Sequence, residues 1–297
     1  MTSAFERMKT SRKSSIEAIN EELEKVTKST TKSIDERFWR PTRDESGNGH
    51  AVIRFLPPVD GETVPFVKMY SHSFQGPGGQ WYIENCLSTI GQKDPVNEFN
   101  TRLWNTGIEA DKDQARKQKR RTHYVANILV VNDPAHPENN GQVFLYKFGK
   151  KIFDKITELM NPEEDPIDPQ DPVNPFDFWE GADFKLKIRQ YEGYPNYDRS
   201  EFAEPTALLD GDESKLEALW GKQYKLQELV SPAEFKSYDE LQRKLDRVLG
   251  LSLSQETVTE TRTETPKRST ESSSVSESSF SYDEDDELEA LVRLASE

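Results

Sequence analysis

Lys117-Gln118-Lys119-Arg120-Arg121-Thr122-His123-Tyr124-Val125-Ala126-Asn127-Ile128-Leu129-Val130-Val131 joins a knot of cations to an apolar run. Arg116, Lys117, Lys119, Arg120 and Arg121 put five cations in six residues, in a chain whose formal net charge is -15. The apolar half is rich in β-branched and long aliphatic side chains and reads as a strand. A basic loop feeding an aromatic-bearing strand has what a single-stranded nucleic-acid groove needs. Cations neutralise phosphates, and a ring offers a base a face to stack on.

Outward from this stretch the pattern stays β-rich. Residues 51–56 read as a buried strand stopped by Pro57-Pro58. Residues 65–70 and 81–83 read as two more strands, with Gln75-Gly76-Pro77-Gly78-Gly79 turning between them. Phe99, Leu103, Trp104 and Ile108 are spaced for a short amphipathic helix. Residues 132–141 form a hairpin-like loop, 142–148 the returning strand, and Ile152, Phe153, Ile156 and Leu159 the core face of a helix. Residues 158–183 hold nine acids, five prolines and no Lys or Arg, which predicts a surface loop that nucleic acid avoids. Residues 184–189 alternate strictly, with Phe184, Leu186 and Ile188 on one face and Lys185, Lys187 and Arg189 on the other. Residues 216–251 read as helical.

The ends differ from this core. Residues 1–38 predict a basic, helical arm, with Ile16, Ile19, Leu23 and Val26 as a narrow apolar stripe behind Lys9, Arg12 and Lys13. Residues 252–297 are rich in Ser, Thr and Glu, predict disorder, and end in an acidic run. Residues 251–297 carry 12 acids and 4 bases, whereas 102–151 carry 10 bases and 5 acids. Charge is therefore segregated along the chain, and distribution outweighs the acidic total. A tethered polyanion can compete with phosphates at a high effective concentration. Leu288, Leu291, Val292 and Leu294 would also let the tip dock on a partner protein.

The lone cysteine, Cys86, excludes an internal disulfide and suits a reducing cytoplasm. No apolar run approaches the roughly 20 residues that span a bilayer, and the first residues lack the apolar segment of a signal peptide. No paired carboxylates at catalytic spacing, Gly-rich phosphate loop or nucleophile–base pair is present, so the chain reads as non-enzymatic. The expected fold is mainly β with α additions: an OB-type barrel over 39–251, with a small subdomain inserted around 66–115. The candidate nucleic-acid set is Trp81, Tyr82, Lys119, Arg120, Arg121, Tyr124, Tyr146, Lys147, Lys150, Lys151, Lys187, Arg189, Tyr194 and Tyr197. Two readings compete. One is a sequence-tolerant single-stranded DNA binder. The other is an interaction hub with weak DNA binding, which would have no need of these cations and rings.

Taken together, these residues resemble the single-stranded DNA-binding (helix-destabilising) proteins of T-even-type bacteriophages. The similarity rests on Gly49-His50-Ala51-Val52-Ile53-Arg54-Phe55-Leu56-Pro57, Trp81-Tyr82-Ile83-Glu84, residues 119–131, Tyr146-Lys147-Phe148-Gly149-Lys150-Lys151-Ile152 and Gly193-Tyr194-Pro195-Asn196-Tyr197. The resemblance implies an OB-fold core and cooperative coating of single-stranded DNA in phage replication, recombination and repair, in the host cytoplasm. It implies self-association through a basic arm, here Arg12-Lys13-Ser14-Ser15, whose motif is echoed at Lys119-Arg120-Arg121-Thr122. It also implies recruitment of replication and recombination proteins by the acidic tail. A third copy, Lys267-Arg268-Ser269-Thr270, lies in the tail and has no counterpart in that pattern.

Two departures stand out. Val125 occupies a position where the family has Trp. The family binds zinc with one His and three Cys; His72 and Cys86 match two ligands, but Asp94 and Asn97 stand where the other two cysteines would be. Asn is a poor zinc ligand and a structural zinc site needs four good ones, so no zinc or other cofactor is expected. A site rebuilt from His72, Cys86, Asp94 and another His is the minority alternative.

Overall fold

The computed structural model describes residues 35–163 and 170–251. The arm with Arg12, Lys13, Ser14 and Ser15, the tail and its Lys267–Thr270 copy lie outside the described residues. The chain divides into two compact units, 1–38 and 39–297, and apart from Phe38 the sheet and helices of the described residues lie in the second.

The strands are β1 (Phe38–Trp39), β2 (Gly49–Phe55), β3 (Phe66–Gln75), β4 (Trp81–Asn85), β5 (Arg121–Asn132), β6 (Val143–Phe148), β7 (Asp183–Tyr191), β8 (Tyr194–Asn196) and β9 (Glu201–Phe202). The Lys117–Val131 stretch supplies the longest of them, β5, and the sheet is organised around it. Its first half pairs antiparallel with β3, Tyr124 opposite Lys68 and Arg121 opposite Ser71. Its second half pairs with β2, Ile128 opposite Phe55. Its other edge carries β6, Ala126 opposite Tyr146. β2 continues to β7, which pairs with β8 and β9, while β4 hangs on β3. Among the described residues the fold is mainly β with added helices, and the sheet stays open.

Alternation explains which side chains are buried. Tyr124, Ala126, Ile128 and Val130 of β5 share one face with Ala51, Ile53 and Phe55 of β2 and Phe184, Leu186 and Ile188 of β7, and together they form the main core. β7 fulfils its predicted pattern, with Lys185 and Arg189 on the exposed side. Leu129 faces the other way, into a second cluster with Leu56, Phe178, Leu216 and Leu219. The odd-numbered face of β5 is also covered, with Val125 and Leu129 buried beside the polar side chains of Arg121, His123 and Asn127.

The helices are α1 (Pro95–Asn105), α2 (Glu109–Lys117), α3 (Lys150–Met160), α4 (Glu213–Trp220) and α5 (Tyr238–Leu249). Three expectations change. The single helical stretch over 216–251 is two helices, the first ending at Trp220, separated by 3₁₀ turns at Leu226–Val230 and Pro232–Glu234; Pro232 opens the second turn, where its missing N–H costs nothing. The 158–183 segment is not only surface: Phe176 and Phe178 are buried, each in a different core. In the subdomain, Ile108 is exposed and Leu103 and Trp104 are half-buried, so packing falls instead on Val96. Val96 joins Phe74, Tyr82 and Leu87 beneath Leu241, Leu245 and Val248 of α5. α5 begins at a capping box, Ser237 and Glu240, and ends at Gly250 in the left-handed conformation.

Candidate nucleic-acid interface

A cleft of about 520 Å³ opens where three segments meet. The β3–β4 hairpin contributes Pro77 and Trp81, the α2–β5 junction contributes Gln114, Lys117 and Arg121, and the β7–β8 hairpin contributes Tyr194. Each wall has a local reason. Gly76 lies so close to α5 that a Cβ there would sit 2.0 Å from the Val248 carbonyl oxygen, so only glycine lets the hairpin turn press against that helix. The β7–β8 turn is Glu192-Gly193, both at positive φ (52° and 89°), the combination of a tight two-residue hairpin. It leaves Tyr191 and Tyr194 as exposed rings, 65% and 47% accessible.

A second, much smaller hollow of about 40 Å³ is lined by Lys147, Gly149, Lys151, Pro195 and Tyr197. Lys151 in it lies 4.0 Å from Asp198, and neighbouring Lys150 is 2.7 Å from Asp154. On the outer side of β7, Lys187 is paired with Glu201 at 2.7 Å and Arg189 is exposed.

The expected set therefore divides. Trp81, Arg121 and Tyr194 come together in the cleft. Lys147, Lys151 and Tyr197 come together in the smaller hollow. Tyr82, Tyr124 and Tyr146 do not present a ring to solvent. Tyr82 stacks on Phe74 with centroids 5.0 Å apart, Tyr124 on Phe153 at 3.8 Å, and Tyr146 meets Trp39 edge-on at 5.3 Å. They are core residues, although Tyr146 also borders the smaller hollow, and their burial speaks against the expected use as base platforms. Val125, at the position where the family has Trp, is also fully buried.

Arg121 is buried in the cleft wall and donates to the Ser73 carbonyl at 3.1 Å. Arg120 lies over the Tyr70 ring at 4.3 Å, and Lys68 approaches the same ring at 5.3 Å. His123 adds no charge to this basic junction. Burial, then the nearby Lys147 and Arg121 charges, hold its pKa well below the usual value. Gln114, Lys68 and Tyr70 join the neighbourhood of the basic junction without any local mark in the sequence. Lys117 stands in the basic run, but nothing local distinguishes it from Lys119.

His72, Cys86 and Asp94 converge as a buried trio behind the cleft. They are the three potential metal donors of that cluster among the described residues, and the fourth corner is Asn97. Its side-chain N–H donates to Cys86 Sγ at 3.5 Å and Ser88 Oγ at 2.8 Å. Asp94 is occupied as a helix cap: Oδ1 accepts from the Val96 and Asn97 N–H groups and Oδ2 from Leu87. His72 Nδ1 is 3.0 Å from the Gln118 carbonyl oxygen, and Nε2 is 3.3 Å from Asp94 Oδ1, out of line for a good hydrogen bond. Burial disfavours charge on His72, but Asp94 and Cys86 outweigh it and push its pKa up to about 9. The set does not provide the four donors of a structural zinc site.

A family model described as "gp32 DNA binding protein like" matches residues 47–249. A protein of Enterobacteria phage T2 named single-stranded DNA-binding protein is 43% identical over 227 residues, covering 73% of this chain and 72% of its own length. Its namesake from Enterobacteria phage T4 is 42% identical over 230 residues, covering 74% of this chain and 73% of its own. The matched region contains the cleft, the smaller hollow and the His72–Cys86–Asp94 cluster.

Proposed function

This chain belongs to the gp32-like DNA-binding family, which is non-enzymatic, and on that premise we propose that it binds single-stranded DNA without sequence preference in the Trp81–Tyr194 cleft. The observation that carries the reading is the meeting of two rings, the half-buried Trp81 and the exposed Tyr194, with Lys117 and Arg121 in one cleft. Rings accept any base, because every base has a π-face, and cations follow the phosphates. Lys119, Arg120, Lys147, Lys150, Lys151, Lys187, Arg189 and Tyr197 extend the path beyond the cleft. Where they are already paired with acids, DNA competes with Asp154, Asp198 and Glu201 for them.

The core is an OB-type fold left open at one edge. The basic arm mediates cooperative self-association through Arg12, Lys13, Ser14 and Ser15. The acidic tail recruits replication and recombination proteins and competes with DNA for the basic junction. The protein acts in the host cytoplasm in phage replication, recombination and repair. Among the described residues no helix is long and apolar enough to cross a membrane.

Titration with poly-dT across a salt series tests the reading. Binding should be tight and fall with salt, with a slope of about -0.7 per phosphate contact. Affinity that does not change with salt would refute the cleft assignment. Removal of residues 281–297 should raise affinity, and removal of residues 1–15 should abolish cooperativity while sparing single-site affinity.

A further inference from the structure

We propose that this chain has exchanged the zinc staple its family resemblance implies for a hydrogen-bonded cluster, so that the subdomain bordering the cleft is held together without metal. The basis is the chemistry of four side chains. Asp94 commits its carboxylate to three backbone N–H groups, which tie the start of α1 to Leu87. A metal at that corner would have to displace bonds that cap a helix. Asn97, on the first turn of the same helix, directs an amide N–H at Cys86 Sγ and Ser88 Oγ. A cation has no use for a donor in that place. His72 is fixed from the far side by the Gln118 carbonyl, which also accepts from Asn100 at 3.1 Å. The cluster thus links β3, the loop after β4 and α1, the segments that a metal at positions 72, 86, 94 and 97 would have linked, and adds Gln118, just before Lys119.

The second support is α5. Leu241, Leu245 and Val248 close the apolar side of the subdomain. Lys236 and Lys244 both reach Glu84 on β4, and Tyr238 donates to Glu98 on α1 at 2.8 Å. The polar cluster and α5 therefore grip the subdomain from both sides, and Trp81 is held in the cleft as a result.

The test uses the full-length protein. Metal content should be far below one zinc per chain, and 1,10-phenanthroline should leave the melting midpoint and poly-dT affinity unchanged. One zinc per chain, with a midpoint that falls on chelation, would overturn the proposal. Asp94→Ala should lower the midpoint by about 2–8 °C through loss of the cap, equally in treated and untreated protein. A drop seen only in untreated protein would mean that Asp94 acts by holding metal. Asp94→Cys/Asn97→Cys should take up one zinc per chain. A soluble, folded double variant that binds none would show that the four positions do not converge on a metal site, and would overturn the idea of an exchanged staple.

Discussion

Tyr146 and Tyr194 both belong to the set expected to line the groove, and their fates are opposite. Tyr146 is 3% accessible and packs against Trp39 and Phe148. Tyr194 is 47% accessible and forms a wall of the cleft. The difference lies in strand geometry. In Tyr146-Lys147-Phe148 the ring and the cation are neighbours on a strand, so they point to opposite faces. A covered sheet then buries the rings and exposes the lysine. The same rule separates Trp81 from Tyr82. Tyr194 escapes because it follows a two-residue turn at the end of a hairpin, where the sheet is no longer covered. An aromatic beside a cation in a strand is therefore weak evidence for a groove. An aromatic at a hairpin tip is stronger evidence.

Substitutions can break this contrast. The largest effect is expected for Tyr146→Ala, which should cost about 3–5 kcal/mol of stability, as loss of a buried aromatic does. Poly-dT affinity of the folded fraction should stay near wild type. A stable Tyr146→Ala protein that loses DNA would return Tyr146 to the groove. Next, Tyr194→Ala and Trp81→Ala should each weaken poly-dT binding by about 1–3 kcal/mol, a drop of roughly 5- to 150-fold. The melting midpoint of Tyr194→Ala should barely move. Equal affinity in both variants and wild type would place the DNA path elsewhere.

The α5 clamp is held partly by charge. Burial raises the Glu84 pKa, but hydrogen bonds from Lys236 and Lys244 more than offset this and hold it below the usual carboxylate value. Its contribution is therefore present above the ordinary Glu range and is lost as pH falls through the lowered value. Glu84→Gln should remove about 1 kcal/mol at neutral pH, after allowance for partial exposure, and should flatten the acid limb of the stability profile. An unchanged acid limb would show that the clamp is held by its apolar contacts alone. The smallest effect is expected for Lys117→Ala, which should lower the magnitude of the salt slope on single strands by about 0.7, against no change for Lys185→Ala on the outer side of β7.

Much of the fold was legible. The strand over 51–56 was marked by its apolar run and Pro57-Pro58, the β7 pattern by strict alternation, and α3 by Ile152, Ile156 and their spacing. The site was only partly legible. Trp81, Arg121 and Tyr194 were in the expected set, yet nothing local joined them or added Lys117 and Gln114. The packing of the subdomain was not legible either. Half of it comes from α5, well over 100 residues further along the chain than β3 and β4, and Leu241, Leu245 and Val248 state only that a helix has an apolar face.

The sequence by itself determined the β-rich class, the order of most strands and the charge segregation. Those follow from periodicities and residue chemistry that act within a few residues. Tertiary structure alone decided which rings reach solvent, which cations share a cleft, and that Asp94 serves as a helix cap. Exposure and convergence depend on what covers each face of a strand, and in this chain the covering elements come from distant segments.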